Sequence, residues 1–329
     1  MRVLLIATER IEPIDRLPNE VQVSMLIWRI LFSLAALPLV VGFLCSTASA
    51  QELVPRAYWP TPNGTNVFIF SYQHSSGDIV TDPSLPLTGI DSNIDYLSLS
   101  YQRTFNLLER TAIVQLSLPF SRGETHGFHE SAFHRRETSG MTDSRVRLSI
   151  NLKGAPSMDA VGFQALRDDP QMIIGASLLV QVPTGEYEPD KLINLGTNRW
   201  SVKPAIGVIW PLRPSWLLEF ELGAWFFGDN DEFIDETRKQ DPILSTEFHL
   251  VKRIQPGFWT SLDVNFYKGG RTSVGVDKRE NLQRNWRAGV TMVFPFKRQH
   301  AIRSSISTGI VTKSGGDFRM LSLSYLYLW

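Results

Sequence analysis

Long apolar runs are the first thing this chain is short of. After residue 50, Glu, Gln, Arg or Asp interrupts every apolar stretch before it reaches the ~18 residues that a spanning helix requires. A helical membrane bundle is excluded on that ground. Cysteine is nearly absent too: the single one, Cys45, lies inside an N-terminal apolar leader. A chain without that leader has no thiol, which removes disulfides, a Cys nucleophile and thiolate metal sites. A lipidated Cys45 is disfavoured as well, because bulky Leu44 stands where a lipobox needs a small residue. Neither sign of charge is in excess, with 33 basic and 33 acidic side chains. No basic stripe marks a nucleic-acid surface, and no Gly-rich loop is built to cradle phosphate.

Aromatics, by contrast, are plentiful. The 329 residues include nine Trp, eight Tyr and 19 Phe, while the mean hydropathy is only −0.09. A transmembrane barrel satisfies both facts, since lipid-facing and lumen-facing residues alternate along each strand and average out.

The leader has its own organisation. Ile30–Leu44 is a 15-residue apolar run followed by Ala48-Ser49-Ala50 and Gln51, the small-x-small pattern of a signal-peptidase site. The positive segment before it is Arg29 plus the amine of Met25, if translation starts there. Residues 1–24 carry Glu9, Glu12, Asp15 and Glu20, which suit no such segment. The expected organisation is a leader over 1–50, with 25–50 as the signal peptide and 1–24 outside the natural product. A short periplasmic segment over 51–64 and a barrel over 65–329 follow. An uncleaved membrane anchor is the alternative for the leader.

From Thr65 onward a two-residue period takes over. Phe68, Phe70 and Tyr72 alternate with Ile69, Ser71 and Gln73; Val146, Leu148, Ile150 and Leu152 alternate with Arg145, Arg147, Ser149 and Asn151. Leu218, Phe220, Leu222, Ala224 and Phe226 oppose Glu219, Glu221, Gly223 and Trp225. Such segments number about twelve, an even count of the kind bacterial barrels use. Short turns (106–110, 212–215, 255–257, 296–300) alternate with long loops (78–92, 123–142, 186–199, 228–241, 270–282). This predicts an all-β, antiparallel up-and-down barrel with its short turns in the periplasm. One periplasmic connection, 154–170, is long and is expected to hold a helix near 158–167. Trp200, Trp210, Trp216, Trp259, Trp286 and Trp329 sit near strand ends, where interfacial girdles form. The alternating Tyr325, Tyr327 and Trp329 at the C-terminus resemble the signal read by the outer-membrane assembly machinery, although Ser324 stands where Gly is usual.

Several stretches carry a family resemblance. They are Asp143-Ser-Arg-Val-Arg-Leu-Ser-Ile-Asn-Leu-Lys-Gly-Ala-Pro156, Asn194-Leu-Gly-Thr-Asn-Arg-Trp-Ser-Val-Lys-Pro204 and Trp225-Phe-Phe-Gly-Asp-Asn-Asp-Glu-Phe233. Gly269-Gly-Arg-Thr272, Leu282-Gln-Arg-Asn285 and Ser307-Thr-Gly-Ile-Val-Thr312 continue them. Together they resemble the MetA-pathway of phenol degradation family of outer-membrane transporters. The resemblance implies an outer-membrane barrel with an uptake or export role, associated with aromatic compounds, and it carries no family catalytic residues with it.

If the oily faces meet lipid, the other faces line a lumen. Arg145, Arg147, Lys203, Arg287 and Arg303 supply its bases, and Glu219, Glu221, Glu247 and Asp263 its acids. Opposed basic and acidic arcs would set up a transverse field that selects among solutes. The plainer alternative is that these charges pair and fill a narrow barrel. His126, His129 and His134 with Glu124 and Glu130 could hold zinc or copper, though a solvated outer loop explains them as well. His249, Ser245 and Glu247 share one strand face, as in outer-membrane phospholipases, but they point to the lumen where such enzymes need lipid. Asp229-Asn-Asp-Glu232 could bridge cations of lipopolysaccharide, yet lacks the Gly of an EF-hand loop. No cofactor and no enzymatic activity is expected. The functional expectation is a channel passing small, aromatic or apolar molecules across the Gram-negative outer membrane, embedded in lipid beside lipopolysaccharide. Its alternatives are a non-conducting surface barrel and, remotely, a hydrolase.

Overall fold

The computed structural model describes residues 54–80, 87–129, 132–191 and 193–329. The expected leader, the cleavage site at Ala50 and the proposed start at Met25 lie outside the described residues. In chain order the strands are β1 (Asn66–Val80), β2 (Leu87–Leu107), β3 (Arg110–His129), β4 (Ala132–Met141) and β5 (Ser144–Lys153). Helix α1 (Ala160–Asp168) follows, then β6 (Ile173–Val182), β7 (Ser201–Arg213), β8 (Trp216–Phe227), β9 (Asn230–Phe233) and β10 (Glu236–Gln240). The chain ends with β11 (Ile243–Gln255), β12 (Phe258–Gly269), β13 (Thr272–Val274), β14 (Asp277–Lys278), β15 (Gln283–Lys297), β16 (His300–Val311) and β17 (Gly315–Leu328).

Twelve of these strands close a ring in the order β1-β2-β3-β5-β6-β7-β8-β11-β12-β15-β16-β17 and back to β1. Every pairing is antiparallel, and the closing seam joins Val67 to Leu328 and runs to Val80 opposite Gly315. Beyond it, Asn66 and Trp329 exchange N–H···O bonds of 2.9 and 3.0 Å. Closure satisfies the backbone polar groups within the wall, the condition for crossing a hydrocarbon layer with strands.

The alternation predicted from sequence is realised as oily outside and polar inside. Phe68, Phe70 and Tyr72 are exposed while Ile69 is buried; Leu218, Leu222 and Phe226 are exposed while Glu219, Glu221 and Trp225 are buried. Burial is inverted relative to a soluble sandwich, because the oily face has no second sheet to meet.

The strand ends show where the pattern misleads. Residues 123–142, expected as a loop, instead continue the wall as a hairpin: β3 runs to His129 and returns as β4, paired from Phe120↔Met141 to His129↔Ala132. Polar residues form this extension because it stands in water beyond the oily band. The expected loops 228–241 and 270–282 likewise fold together, as a small four-stranded sheet of β14-β13-β10-β9. Trp200, Trp210, Trp286 and Trp329 are exposed at strand ends, as a girdle requires, but Trp259 faces inward and packs on the internal cluster. The turn between β2 and β3 is two residues, Leu108 and Glu109, both at positive φ (51° and 61°). This is the hairpin geometry whose twist matches the flanking strands.

The long connection 154–170 does hold a helix. Asp159 caps α1 by accepting a 2.8 Å bond from the Gly162 N–H, which satisfies one of the free donors of its first turn. Leu166 and Phe163 on this helix join Tyr58, Trp59, Ile173, Ile209, Leu217 and Val251 in one apolar cluster. That cluster lies at the end carrying the start of β1, Trp329 and the short turns, which barrels of this type keep in the periplasm.

Candidate functional site: the barrel lumen

Residues 54–64 turn into the periplasmic mouth. Tyr58 lies flat against the inner wall, where a Cβ on either Gly175 or Gly207 would strike its ring. Those two glycines are inward positions of β6 and β7, and their missing side chains make the recess. The Tyr58 hydroxyl is 2.9 Å from Ser177 Oγ, and the Arg147 guanidinium stands 5.4 Å from its ring. Next to it, the Arg56 N–H donates to Glu219 Oε2 at 2.6 Å. The Arg56 guanidinium stacks 4.2 Å over Trp59 and 5.3 Å from Trp259. Burial pushes Arg56 down to about 10, against the opposing pull of Glu219, so it keeps its charge at neutral pH. The segment therefore docks as a plug along one side of the mouth.

Above the plug, the expected lumen charges form a belt rather than separate arcs. Glu221 accepts from Arg147 Nη2 and from Lys203 Nζ, both at 2.8 Å, and Lys203 also reaches Glu247 at 3.0 Å. His249 continues the chain, with Nδ1 2.8 Å from Asp263 and Nε2 3.6 Å from Glu247. Thr291 donates to the other Asp263 oxygen at 2.7 Å. Bases and acids alternate along this half of the wall, from β5 to β15, so the charges neutralise their neighbours. Arg287 is apart from them, bonded to Ser307 Oγ at 3.1 Å and to the Phe318 carbonyl at 3.0 Å.

The opposite half of the wall carries Arg303 but is otherwise rich in hydroxyls. A cavity of about 390 Å³ lies against it, and eleven of its lining residues are serines, among them Ser71, Ser98, Ser100, Ser305 and Ser322. Gln73, Gln102 and Gln115 add amides. Its charged lining consists of Arg56, Arg145, Arg147 and Arg303 against Asp143 alone. Glu219, Glu221, Glu247 and Asp263 do not line this space, so its charged lining is mostly basic.

Asp143 is the residue whose role the alternation could not reveal. It sits in the break between β4 and β5 and is buried. It accepts from the Gly185 N–H (3.0 Å), the Thr197 N–H (3.0 Å), Thr197 Oγ1 (2.6 Å) and Gln181 Nε2 (2.9 Å). One carboxylate thus ties the 184–199 loop inward, so that Ile193, Asn194, Leu195 and Thr197 line the cavity from its outer side. Further out, Arg199 bonds Gln240, stacks 4.8 Å over Phe227, and has its charge disfavoured by burial and by Arg238. Asn230 donates to Tyr187 at 2.9 Å and to the Thr197 carbonyl at 3.3 Å. Segments that looked like separate family signatures in sequence, around 143, 194–204 and 225–233, therefore build one structure at the outer end.

The other sequence candidates resolve differently. His249 is held between two carboxylates and faces the lumen, with Ser245 four residues away and no bond between them among the described contacts. His126 and His134 fall on opposite arms of the β3–β4 hairpin, where His134 pairs with Gly127. Among the described residues no group of three His, Cys, Asp or Glu could hold a metal.

A closed twelve-stranded wall with an oily outer belt and a polar, plugged interior defines an outer-membrane-type β-barrel that sits in a lipid bilayer. Its kinship follows from the match over residues 69–314 to the family described as "Putative MetA-pathway of phenol degradation". The chain belongs to that family. The fold is similar to an outer membrane channel from Pseudomonas putida F1, at 21% identity and a TM-score of 0.73, covering 84% of this chain and 100% of that one. Weaker similarity extends to the transport unit of the autotransporter AIDA-I from Escherichia coli (10% identity, TM-score 0.47, 85% and 94% covered). It extends also to the CymD monoaromatic hydrocarbon channel (7%, 0.41, 82% and 89%). No curated protein matches the chain in sequence.

Proposed function

We propose that this protein is an outer-membrane channel for small solutes, with a lumen that favours anions and polar aromatic molecules. The observation that carries it is the cavity of about 390 Å³ walled by serines and faced by Arg56, Arg145, Arg147 and Arg303. Hydroxyls and amides replace water around a polar solute, while the arginines set the sign of the field in a narrow low-dielectric space. The family description points to aromatic compounds, and a phenolic hydroxyl or carboxylate suits these donors. Arg145, Arg147 and Arg303 act on the solute. Lys203, Glu219, Glu221, Glu247 and Asp263 hold the wall and the plug, and Arg287 braces the β16–β17 side.

The chain is exported by a leader that ends at Ala50 and is assembled through the terminal Tyr327 and Trp329, with lipopolysaccharide around its outer rim. It acts by passage, not by catalysis. A second reading, a barrel that does not conduct, is favoured by the docked plug alone. Refolded protein in a planar bilayer under a KCl gradient decides between them. A reversal potential of the sign for chloride supports the channel; a bilayer that stays silent at all voltages supports the closed barrel.

A further inference from the structure

Where β12 and β15 leave the oily belt at its outer edge, their outward faces carry charge of one sign. Lys268 of β12 stands directly opposite Arg284 of β15, one rung before their ladder ends at Gly269↔Gln283. Both side chains are exposed and share their face with Phe266 and Trp286, the outward pair just below, whose ring centroids are 4.6 Å apart. Like charges placed directly opposite on one sheet face repel each other. A third cation adjoins them. Lys313 is exposed, and its backbone N–H donates to Asn285 Oδ1 at 3.0 Å, while Asn285 Nδ2 donates to the Ser314 carbonyl at 2.8 Å. The inward Asn285 thus pins the 312–314 turn beside the Arg284 rung.

Among the described residues none of these three cations is ion-paired. Glu280 lies 3.8 Å from Arg271, and Asp317 accepts from the Thr312 hydroxyl at 3.1 Å. On the opposite side of the rim the outward charges neutralise one another. Arg135 bridges Glu124 and Glu137 at 2.8 and 2.6 Å, and Asp95 lies 2.8 Å from His74. The β12–β15 sector is therefore a cationic ledge on an aromatic step. Below that step the wall is apolar: Val311 flanks Trp286, and Leu262 stands opposite Val290. Exposed indoles settle at the boundary between head groups and acyl chains, so Trp286 sets the level of the ledge. An occupant must present an anion at that boundary and chains beneath it. A soluble anion meets only the first condition and an uncharged lipid only the second.

We propose that Lys268, Arg284 and Lys313 form a binding site for a phosphate of lipopolysaccharide, whose acyl chains lie on Phe266, Trp286 and Val311. A phosphate accepts from several such donors at once and relieves the repulsion between Lys268 and Arg284. The site rests on the reading that puts lipopolysaccharide at the outer rim, and it is independent of conduction.

Protein refolded into detergent from inclusion bodies is offered diphosphoryl lipid A, its dephosphorylated form or inorganic phosphate, and adducts are weighed by native mass spectrometry. The expected result is a diphosphoryl lipid A adduct on the parent. The double variant Lys268→Gln with Arg284→Gln should bind it about tenfold more weakly. Arg122→Gln with Arg135→Gln, which makes the same change in net charge across the rim, should bind like the parent. Inorganic phosphate should give no adduct. Equal binding by parent and ledge variant overturns the site but leaves lipopolysaccharide as a general neighbour of the rim. Equal loss in both double variants, or equal binding of dephosphorylated lipid A by the parent, also overturns the site. A parent that takes no diphosphoryl lipid A overturns both the site and the rim reading. Should the ledge variant give no heat-modifiable folded band, the single variants Lys268→Gln and Arg284→Gln serve instead: weaker binding in each supports the site, and parental binding in both overturns it.

Discussion

Removing the anchor of the plug should open the periplasmic mouth. Tyr58 is 4% exposed and fills the recess left by Gly175 and Gly207. Truncating a buried aromatic of this kind costs about 3–5 kcal/mol. Because the barrel wall needs none of the Tyr58 contacts, that cost falls on docking of residues 54–64 rather than on the strands. At about 1.4 kcal/mol per tenfold, the docked population relative to the released one should drop by roughly 100-fold or more. Tyr58→Ala is therefore expected to raise single-channel conductance in a planar bilayer. It should also expose the Arg56–Ala57 bond, half-buried in the parent with the Arg56 side chain held against Trp59 and Trp259, to trypsin, as read by the mass of the cut barrel. Gly207→Val should do the same by displacing the ring from the other side. If both variants keep the parental conductance and resist trypsin at Arg56, the segment is not an independently docked plug.

Three further outcomes follow from the same geometry. Asp143→Asn must turn an amide N–H toward at least one of its present donors, at a cost of about 1–3 kcal/mol. The loop 184–199 should then become sensitive to protease while the barrel still runs as a folded band. Glu221→Ala leaves Arg147 and Lys203 without their shared partner; the three side chains are only 9%, 16% and 11% exposed. Breaking so buried a pair costs about 3–5 kcal/mol where water does not intrude. The folded band should be lost at a lower temperature, and the reversal potential should shift further toward chloride; an unchanged potential would mean these charges lie outside the conduction path. Trp329→Ser removes the terminal aromatic while the Asn66 backbone bonds remain available. It should lower the amount of barrel reaching the outer membrane in cells, with refolding in detergent unaffected.

Strand number, the inside–outside assignment and the helix in the 154–170 connection were all legible in the chain. Each depends on a short-range period: two residues for a wall with one oily face, about four for α1, and a cap residue such as Asp159. Arg147, Glu221 and Asp263 could be placed on the lumen face by counting alone. What counting cannot supply is which of them touch. Arg147 and Glu221 are 74 residues apart in sequence, and their contact depends on barrel radius and strand stagger, which arise only when the last strand meets the first. The plug was hidden for a related reason: residues 54–64 have no period, and their only trace is two glycines far downstream. Hairpin β3–β4 was hidden because a strand standing in water needs no oily face. Asp143, Thr197 and Asn230 looked like scattered signatures until closure brought their loops to one rim. Local pattern decided which side of the wall each residue faces; the closed ring alone decided which residues became neighbours, because proximity across a lumen is set by the circumference and not by the chain.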